Sequence, residues 1–407
     1  MSVENKTLGV VFLTTLTGWV GFSLPFPIFS HIFLNAEHGI VSPEMNMLSR
    51  TMLLGVAMAL YPLGQMIGAP FLGRLSDKYG RKPVLTGCLW VTAFGALILA
   101  VGVSTGSIAL ILFGRLCTGI AEGSLAIVQS LASDISSPKT KARNFAYIGI
   151  AIDVGFIFGP ITGGLLSDPT LHPAFNVALP FWAGCAVFAA NAVLVMALLE
   201  PVKQQHEERP SARSMMSALT DRALVPVFVL TFATFWAIMI FFDFSAVYFV
   251  QVFETPPALL GILTALISAP LIASGLVAGW VNERIGAVKM ATLSLLLLIS
   301  GTVLFLIPET LMGLVIPVCI ICVGINFGQT ATSVIASDSA GEGEQGQVMG
   351  IYRSITVAAA AISALVGGAL AGVSPAGPFV TAILAGGTGV LVLGAVQSAF
   401  FKVAKGT

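Results

Sequence analysis

The amino-acid sequence predicts an all-α membrane protein, with twelve transmembrane helices in two pseudo-symmetric bundles of six. Three observations carry that prediction. Of 407 residues, 56% are hydrophobic and 9% charged, with a mean hydropathy of +0.95. A water-soluble domain carries roughly 25% charged residues, and no soluble fold of this size hides so much apolar surface. Second, the chain reads as about twelve apolar runs, each near the roughly 20 residues that cross a bilayer as a helix. Third, short patterns recur in the second half at a nearly constant displacement. Gly73, Asp77 and Gly80 return as Gly279, Glu283 and Gly286, 206 positions on. Ala132-Ser133-Asp134 returns as Ala336-Ser337-Asp338, and Gly163-Gly164 as Gly367-Gly368, both 204 on. Gly119 and Gly123 return as Gly324 and Gly328, 205 on.

The runs fall at about 8–33, 50–73, 84–104, 107–131, 143–167 and 176–199, then 223–251, 257–280, 288–307, 311–334, 347–372 and 377–401. Several contain Gly and Pro, which membrane helices tolerate. The segment Met1–Lys6 is short and polar and lacks a small-residue cleavage site, so the first run is expected to be retained. The one long polar stretch, Glu200 to Arg222, carries Lys203, Glu207, Glu208, Arg209, Pro210 and Arg213. It divides the chain into an amino-terminal bundle over 1–199, a linker over 200–222 and a carboxy-terminal bundle over 223–407.

Orientation follows from Lys and Arg, which accumulate on the cytoplasmic side. Lys6, Arg81, Lys82, Lys139, Lys141, Arg143, the linker cations, Arg284, Lys289, Lys402 and Lys405 fall on one side. The other side holds only Arg50, beside Glu37 and Glu44. Both termini are therefore expected inside the cell.

Several function classes are excluded. A net charge of zero gives no case for nucleic acid. Cys88, Cys117, Cys185, Cys319 and Cys322 all sit in apolar runs. The CxxC formed by Cys319 and Cys322 reads as one turn of small packing residues, so no metal or cofactor is expected. His31, His38, His172 and His206 are scattered, and no nucleophile–base arrangement stands out, which argues against an enzyme. A non-transporting receptor finds no polar domain to relay a signal.

Ionisable groups within membrane helices cost about 2.5–3.5 kcal/mol each on insertion scales, so each calls for a reason. Arg115 and Glu122 in the fourth run, Asp153 in the fifth and Asp243 in the seventh stand out, with Arg353 a weaker fifth. Arg115, Gly119 and Glu122 are spaced four and three apart, so they share a helix face that belongs inside the bundle. Counting from the cytoplasmic ends, Glu122 and Asp153 fall at similar depth, where neighbouring acids raise each other's pKa and suit proton uptake and release. The alternative is a structural pair of Arg115 with an acid such as Asp153. Asp243 shares a face with Trp236, Met239 and Val247; an acid among large apolar groups suits a lipophilic cation, or else reaches for the outer surface. Trp19, Phe22, Pro25 and Phe26 in the first run either line a cavity or pack.

The densest charge lies at Gly73-Arg74-Leu75-Ser76-Asp77-Lys78-Tyr79-Gly80-Arg81-Lys82-Pro83. Asp77 and Arg81 stand four apart, the spacing at which acid and base meet on a helical turn. Gly73 leaves room for another backbone and Gly80 permits a tight turn. This stretch resembles the loop signature between the second and third spans of the major facilitator superfamily. The fourth-run segment around Arg115, with its glycines, resembles that family's span-4 motif. Gly159-Pro160 followed by Gly163-Gly164, with Gly155 before them, resembles the span-5 signature of the twelve-span drug/H+ antiporter branch. Proline bends that helix and the glycines let a neighbour approach; Asp153 is no part of that signature.

The resemblance implies two six-helix bundles around a central cavity and proton-driven transport by alternating access. It implies export of a lipophilic, cationic small molecule from a bacterial-type inner membrane, by a monomer. It implies an arginine near the substrate and proton path, at Arg115. It also implies a latch in which Asp77 and Arg81 join an acid at the end of span 4, here Asp134, with Asp77 facing the start of the eleventh span. The alternative within transporters is a dedicated carrier of one metabolite, such as a siderophore, sugar or organic acid, with Glu122 and Asp153 as its ligands.

Overall fold

The computed structural model describes residues 3–36, 40–137, 140–200, 221, 224–340 and 345–404. The expected linker lies outside them except for Glu200 and Asp221, as do Glu37, His38, Lys139 and Lys405. Among the described residues the chain is helical with no strand, and 12 helical stretches are long and apolar enough to cross a membrane.

The first span is two helices, α1 (Val3–Ser23) and α2 (Pro25–Leu34), broken at Leu24. Pro25 and Pro27 explain the break, since each removes a backbone donor and its ring crowds the preceding turn. Asn46 caps α3 (Met47–Tyr79) by accepting from the Ser49 amide. Arg50 donates to the carbonyls of Leu34, Ser42, Pro43 and Met45 and so folds the loop that precedes it. Gly80 has φ 96° and ψ 154°, and turns α3 into α4 (Arg81–Thr105). Gly286, its repeat partner, has φ 83° and ψ 154°. Both corners use backbone angles that an L side chain disfavours.

The fourth span is also divided, into α5 (Ile108–Glu122) and α6 (Leu125–Asp134). At the junction the amides of Gly123 and Ser124 bond carbonyls three residues back, a tightened turn of the kind that marks hinges. Then follow α7 (Lys141–Ser167) and α8 (Leu179–Leu198). The second half comprises α9 (Val225–Phe253), α10 (Pro257–Leu266), α11 (Ser268–Ile285), α12 (Ala287–Phe305), α13 (Val315–Asp338), α14 (Gln345–Ala371) and α15 (Gly377–Ala404). The division of the eighth span between α10 and α11 precedes Pro270, which cannot donate to the carbonyl of Leu266.

Two compact units result: Met1–His206 with Glu254–Ser268, and Glu207–Phe253 with Ala269–Thr407. Sequence reasoning assigned 254–268 to the second half; here the segment packs with the first. The cause is glycine on glycine. A Cβ added to Gly164 would lie 2.7 Å from the Cα of Gly261, so α7 and α10 meet backbone to backbone.

Small residues also hold the first unit together, as expected where lipid removes the hydrophobic drive between helices. Gly64 and Gly68 on α3 face Gly119 and Ile120 on α5, and a Cβ on Gly123 would come 2.5 Å from the Ala69 amide nitrogen. Gly155, Gly159 and Gly163 of the proline-bearing motif line the face of α7 that meets α1 and Leu24. Ser23 reinforces that seam by donating to the Gly155 carbonyl at 3.2 Å. Gly73, by contrast, was expected to admit a backbone; a Cβ there meets nothing among the described residues.

The α3–α5 seam gives a direct test. Gly119→Val places a Cβ 2.8 Å from the Tyr61 Cα, and overpacking of this kind costs about 1–3 kcal/mol. The thermal midpoint and monodisperse fraction in detergent should both fall. Gly87→Ala, where a Cβ meets nothing, should leave both unchanged.

Candidate functional site

Two of the ionisable residues singled out within the first unit's spans, Arg115 and Glu122, lie on α5. Arg115 is 1% exposed, the largest fully buried side chain among the described residues. It donates from Nε to the Ala57 carbonyl at 3.1 Å. Its guanidinium lies 4.7 Å from the Tyr61 ring centroid and 5.5 Å from that of Phe29, contacts worth about 0.5–2 kcal/mol each when desolvated. Two turns further on, Glu122 is the last residue of α5, directly before the tightened turn. Its carboxyl fills the space that Gly18 leaves open on α1: a Cβ on Gly18 would come 2.7 Å from Glu122 Oε1. Arg115 and Glu122 line one small cavity with Tyr61, Thr92 and Thr118. A smaller one also touches Glu122 and is bordered by Thr14, Thr15 and Ser124.

Beside this site the first-span aromatics pack as a cluster. Trp19 stands 5.3 Å from Phe22 and 5.1 Å from Phe156, and Phe22 stands 5.3 Å from Phe26 and 5.0 Å from Tyr61. Trp19, Phe22 and Phe26 therefore pack on one another rather than line either enclosed cavity. Through Tyr61 the cluster touches the Arg115 guanidinium. Sequence reasoning missed Tyr61 and Phe156; neither stands out among the chain's aromatics until the helices are packed.

Asp153 is not brought beside Glu122. It is exposed and borders neither cavity. On α7 it lies eleven residues before Gly164, close to the same face at 100° per residue, and away from the glycine face that meets α1. The direction of Asp153 around α7 is set by the glycine seam. In the second unit, Asp243 lies half-buried on α9. On the same helix Trp236 donates to Thr381 at 3.0 Å, and Met239 packs on the unit's hydrophobic core. Arg353 is exposed on α14.

At the Gly80 corner, Arg81 joins three groups. Its Nη1 reaches Asp77 at 2.6 Å and Ser76 at 2.7 Å, and its Nε reaches Asp134 at 3.3 Å. Asp77 and Arg81 do not share a helix, as their spacing implied; they meet across the corner because Gly80 turns the chain between them. Asp134 ends α6, so the cluster ties the beginning of α4 to the end of the broken fourth span. The corresponding corner in the second unit has Gly286 but places Arg284 over the Trp280 ring, 4.4 Å from its centroid.

One further acid went unnoticed in the sequence. Asp168, 3% exposed, follows α7 at the end of the unit opposite the Gly80 corner. It accepts from the Thr170 hydroxyl at 2.6 Å, the Thr170 amide at 2.9 Å and the Ala258 amide at 3.3 Å. Pro256 and Pro257 have no N–H, so Ala258 carries the first donor of α10, and a carboxylate there also meets the positive helix end. Burial alone raises the Asp168 pKa, but these hydrogen bonds, and His31 nearby, outweigh it and hold the carboxyl below its usual value.

With this geometry in view, the comparisons with known proteins become specific. A family model described as Major Facilitator Superfamily matches residues 11–258 and 244–404. The chain belongs to the major facilitator superfamily. It is a multi-pass membrane transporter, not an enzyme. It is 29% identical over 373 residues to the tetracycline resistance protein, class H, of Pasteurella multocida, covering 86% of each chain. It is 24% identical over 371 residues to multidrug resistance protein 2 of Bacillus subtilis (strain 168), covering 87% of this chain and 86% of that one. A solved structure of a point mutant of the nucleoside transporter NupG matches 98% of the chain and 100% of its own with a TM-score of 0.77 at 13% identity, a likeness of fold alone.

The Asp168 contacts predict a pH-dependent stability. A carboxyl with a lowered pKa stabilises the fold above the unfolded-chain value, about 3.9, and that contribution is lost as pH falls through the lowered folded value. Asp168→Ala should therefore lower the thermal midpoint at neutral pH, by the roughly 0.5–2 kcal/mol of a lost cap. The gap from the unaltered protein should close as the pH drops below about 4. A pH-independent gap speaks against the carboxylate as the source.

Proposed function

We propose that this superfamily member exports lipophilic, preferably cationic, small molecules in exchange for protons. It does so by alternating access, as a monomer in a bacterial plasma membrane with both termini in the cytoplasm. Two six-helix halves, 1–199 and 223–407, are the moving bodies. One observation carries the reading: a carboxyl at a helix break, Glu122, borders a buried cavity together with Arg115. An acid in that setting gains or loses a proton at modest cost, because its charged form is poorly solvated while the guanidinium remains near. One proton moved through 100 mV supplies about 2.3 kcal/mol, enough to drive a solute uphill. The drug-resistance names of the relatives support export of such compounds over a dedicated metabolite carrier.

On this reading Glu122 carries the proton and Arg115 holds its site in tune. Asp153 and Asp243 are the acids facing solute or solvent, with Trp236 and Met239 beside the latter and the cluster of Trp19, Phe22 and Phe26 in the first unit. The Asp77–Arg81–Asp134 cluster, with Gly73 and Gly80 at its corner, is the latch that favours one state. Gly155, Gly159, Pro160, Gly163 and Gly164 form the bend and seam on which the fifth span moves.

The deciding experiment adds tetracycline or ethidium to purified protein in weakly buffered detergent and follows proton release. Release is expected from the native protein and lost in Glu122→Gln, with Asp153→Asn and Asp243→Asn assayed alongside. Full proton release in Glu122→Gln refutes the carrier assignment. Asp77→Asn should insert and fold normally while losing several-fold in transport of the same compounds; unchanged transport removes the latch.

A further inference from the structure

The first unit contains a line of buried polar groups that the proposed transport cycle has not used. Thr7 and Thr14, 1% and 5% exposed, lie on one face of α1, seven residues apart. Neither hydroxyl has a hydrogen-bond partner among the described residues. A threonine in a helix ordinarily bonds the carbonyl three or four residues back, as Thr15 does with Val11. Beside them on α8, Asn191 is 3% exposed; it donates to Thr17 at 2.9 Å, while its carbonyl oxygen has no donor. Buried polar atoms without protein partners are characteristically met by water. Just over three turns of α1 connect Lys6, at its polar end, to Gly18, against which the Glu122 carboxyl rests.

The cavities extend this line. The one that holds Thr14 and Ser124 and the one that holds Tyr61 and Arg115 share Gly18, Thr92, Glu122 and Phe188. Phe188, 6% exposed, presses its ring against Gly21 at the boundary. The space beside Thr14 admits about one water and the one beside Tyr61 and Arg115 about two. The second reaches Pro25, Pro180 and Phe181, towards the end of the unit that carries Asp168. Glu122 therefore stands between two mainly apolar spaces, to which Thr14, Thr15, Thr92, Thr118 and Ser124 add hydroxyls. The ionisable groups that face it from the surrounding helices are Tyr61 on α3, Cys88 on α4 and Arg115 on its own helix.

We infer that Glu122 exchanges its proton through a water-bearing route internal to the amino-terminal bundle. One arm runs along Thr14 and Thr7 to the Lys6 end of α1, the other through the Tyr61–Arg115 cavity, and Phe188 is the partition between them. Threonine hydroxyls and the Asn191 oxygen hold the waters, and proton hops along them need no displacement of solute. The inference rests on the reading of Glu122 as proton carrier and adds the path by which it is loaded.

The test follows the carboxyl itself. Purified full-length protein is jumped from mildly acid to mildly alkaline buffer, and its carboxyl C=O stretch is followed by time-resolved infrared spectroscopy. The Glu122 band is the one absent from Glu122→Gln. Thr14→Val, which keeps the shape and removes the hydroxyl, should slow the decay of that band about tenfold or more, the scale of a lost proton relay. Thr14→Ser should restore the native rate, and ethidium affinity should be unchanged in both. Phe188→Leu, reconstituted in liposomes under a pH gradient without solute, should leak protons several-fold faster than the native protein. A native decay rate in Thr14→Val overturns the route while leaving Glu122 as carrier, as does a failure of Thr14→Ser to restore the rate. A sealed Phe188→Leu membrane overturns the partition. If no band disappears in Glu122→Gln, the carrier assignment falls and the route with it.

Discussion

A carboxyl and a guanidinium placed among membrane helices must be held by the protein, because lipid offers them nothing. That constraint organises the first unit. An arginine at mid-helix is tolerable only if its donors find acceptors and its charge finds polarisable surfaces. Arg115 meets the Ala57 carbonyl and the rings of Tyr61 and Phe29. For those groups to come so close, α3 and α5 must touch almost backbone to backbone, and Gly64, Gly68, Gly119 and Gly123 permit it. The same close approach accompanies the change of helical hydrogen bonding after Glu122, where irregular backbone is acceptable because it is buried in protein and borders a cavity. Gly18 supplies the remaining room. The glycines of this unit are thus a geometric requirement of its two charges.

The two units meet comparable demands by different means. Both turn through a glycine at positive φ after their second span. In the first unit the corner is closed by ion pairs of Arg81, whose side chain is 12% exposed. In the second, Ala287 and Val288 occupy the positions of Arg81 and Lys82, and Arg284 stacks on Trp280 instead. Asn326 on α13 donates to the Leu271 carbonyl at 2.7 Å and to Ser274 at 2.9 Å, a neutral polar junction. Neutral groups carry no protonation state, so the pairing there does not change with proton occupancy. The asymmetry places the Arg81 ion pairs and the Arg115–Glu122 cavity in one half, with Asp243 the acid singled out in the other.

The fold was legible because its signal is cumulative. Hydropathy integrated over 20 residues locates a span whatever any single side chain does, and a repeat needs only a few matched glycines to set the register of two halves. The site was legible in part. Arg115 and Glu122 share a face by arithmetic alone, and the Arg81 cluster follows from charge placed where charge is scarce. What stayed hidden depends on rotation and on contacts between distant segments. Asp153 lies on a face fixed by where Gly155, Gly159 and Gly163 meet α1. Tyr61 is one of five tyrosines, singled out only once Gly119 carries α5 across it. Asp168 follows an apolar run and resembles a loop residue until Pro256 and Pro257, far along the chain, deprive α10 of its first donors. The break at Glu122 has no single-residue signature either, since helix interiors in membranes tolerate glycine and proline without ending.

The position of the fourth-span break joins these pieces. Glu122 ends α5, and Asp134 ends α6, whose 10 residues span about 15 Å at the usual rise. A short helix of that length is stiff, so a shift at its beginning is delivered to its end with little loss. On the proposed roles, neutralising Glu122 changes what the tightened turn at Gly123 and Ser124 must accommodate, and the far end of the same rod carries the carboxylate that Arg81 grips. The coupling is then a local electrostatic event read out by a two-position ionic corner, through one continuous element. It requires no strain propagated through the bundle at large, which the glycine seams, packed backbone on backbone, are poorly suited to transmit by degrees. The break between Glu122 and Leu125 sets the acid at the hinge itself, beside the near end of α6, and the ion pair of Arg81 at the far end of that helix.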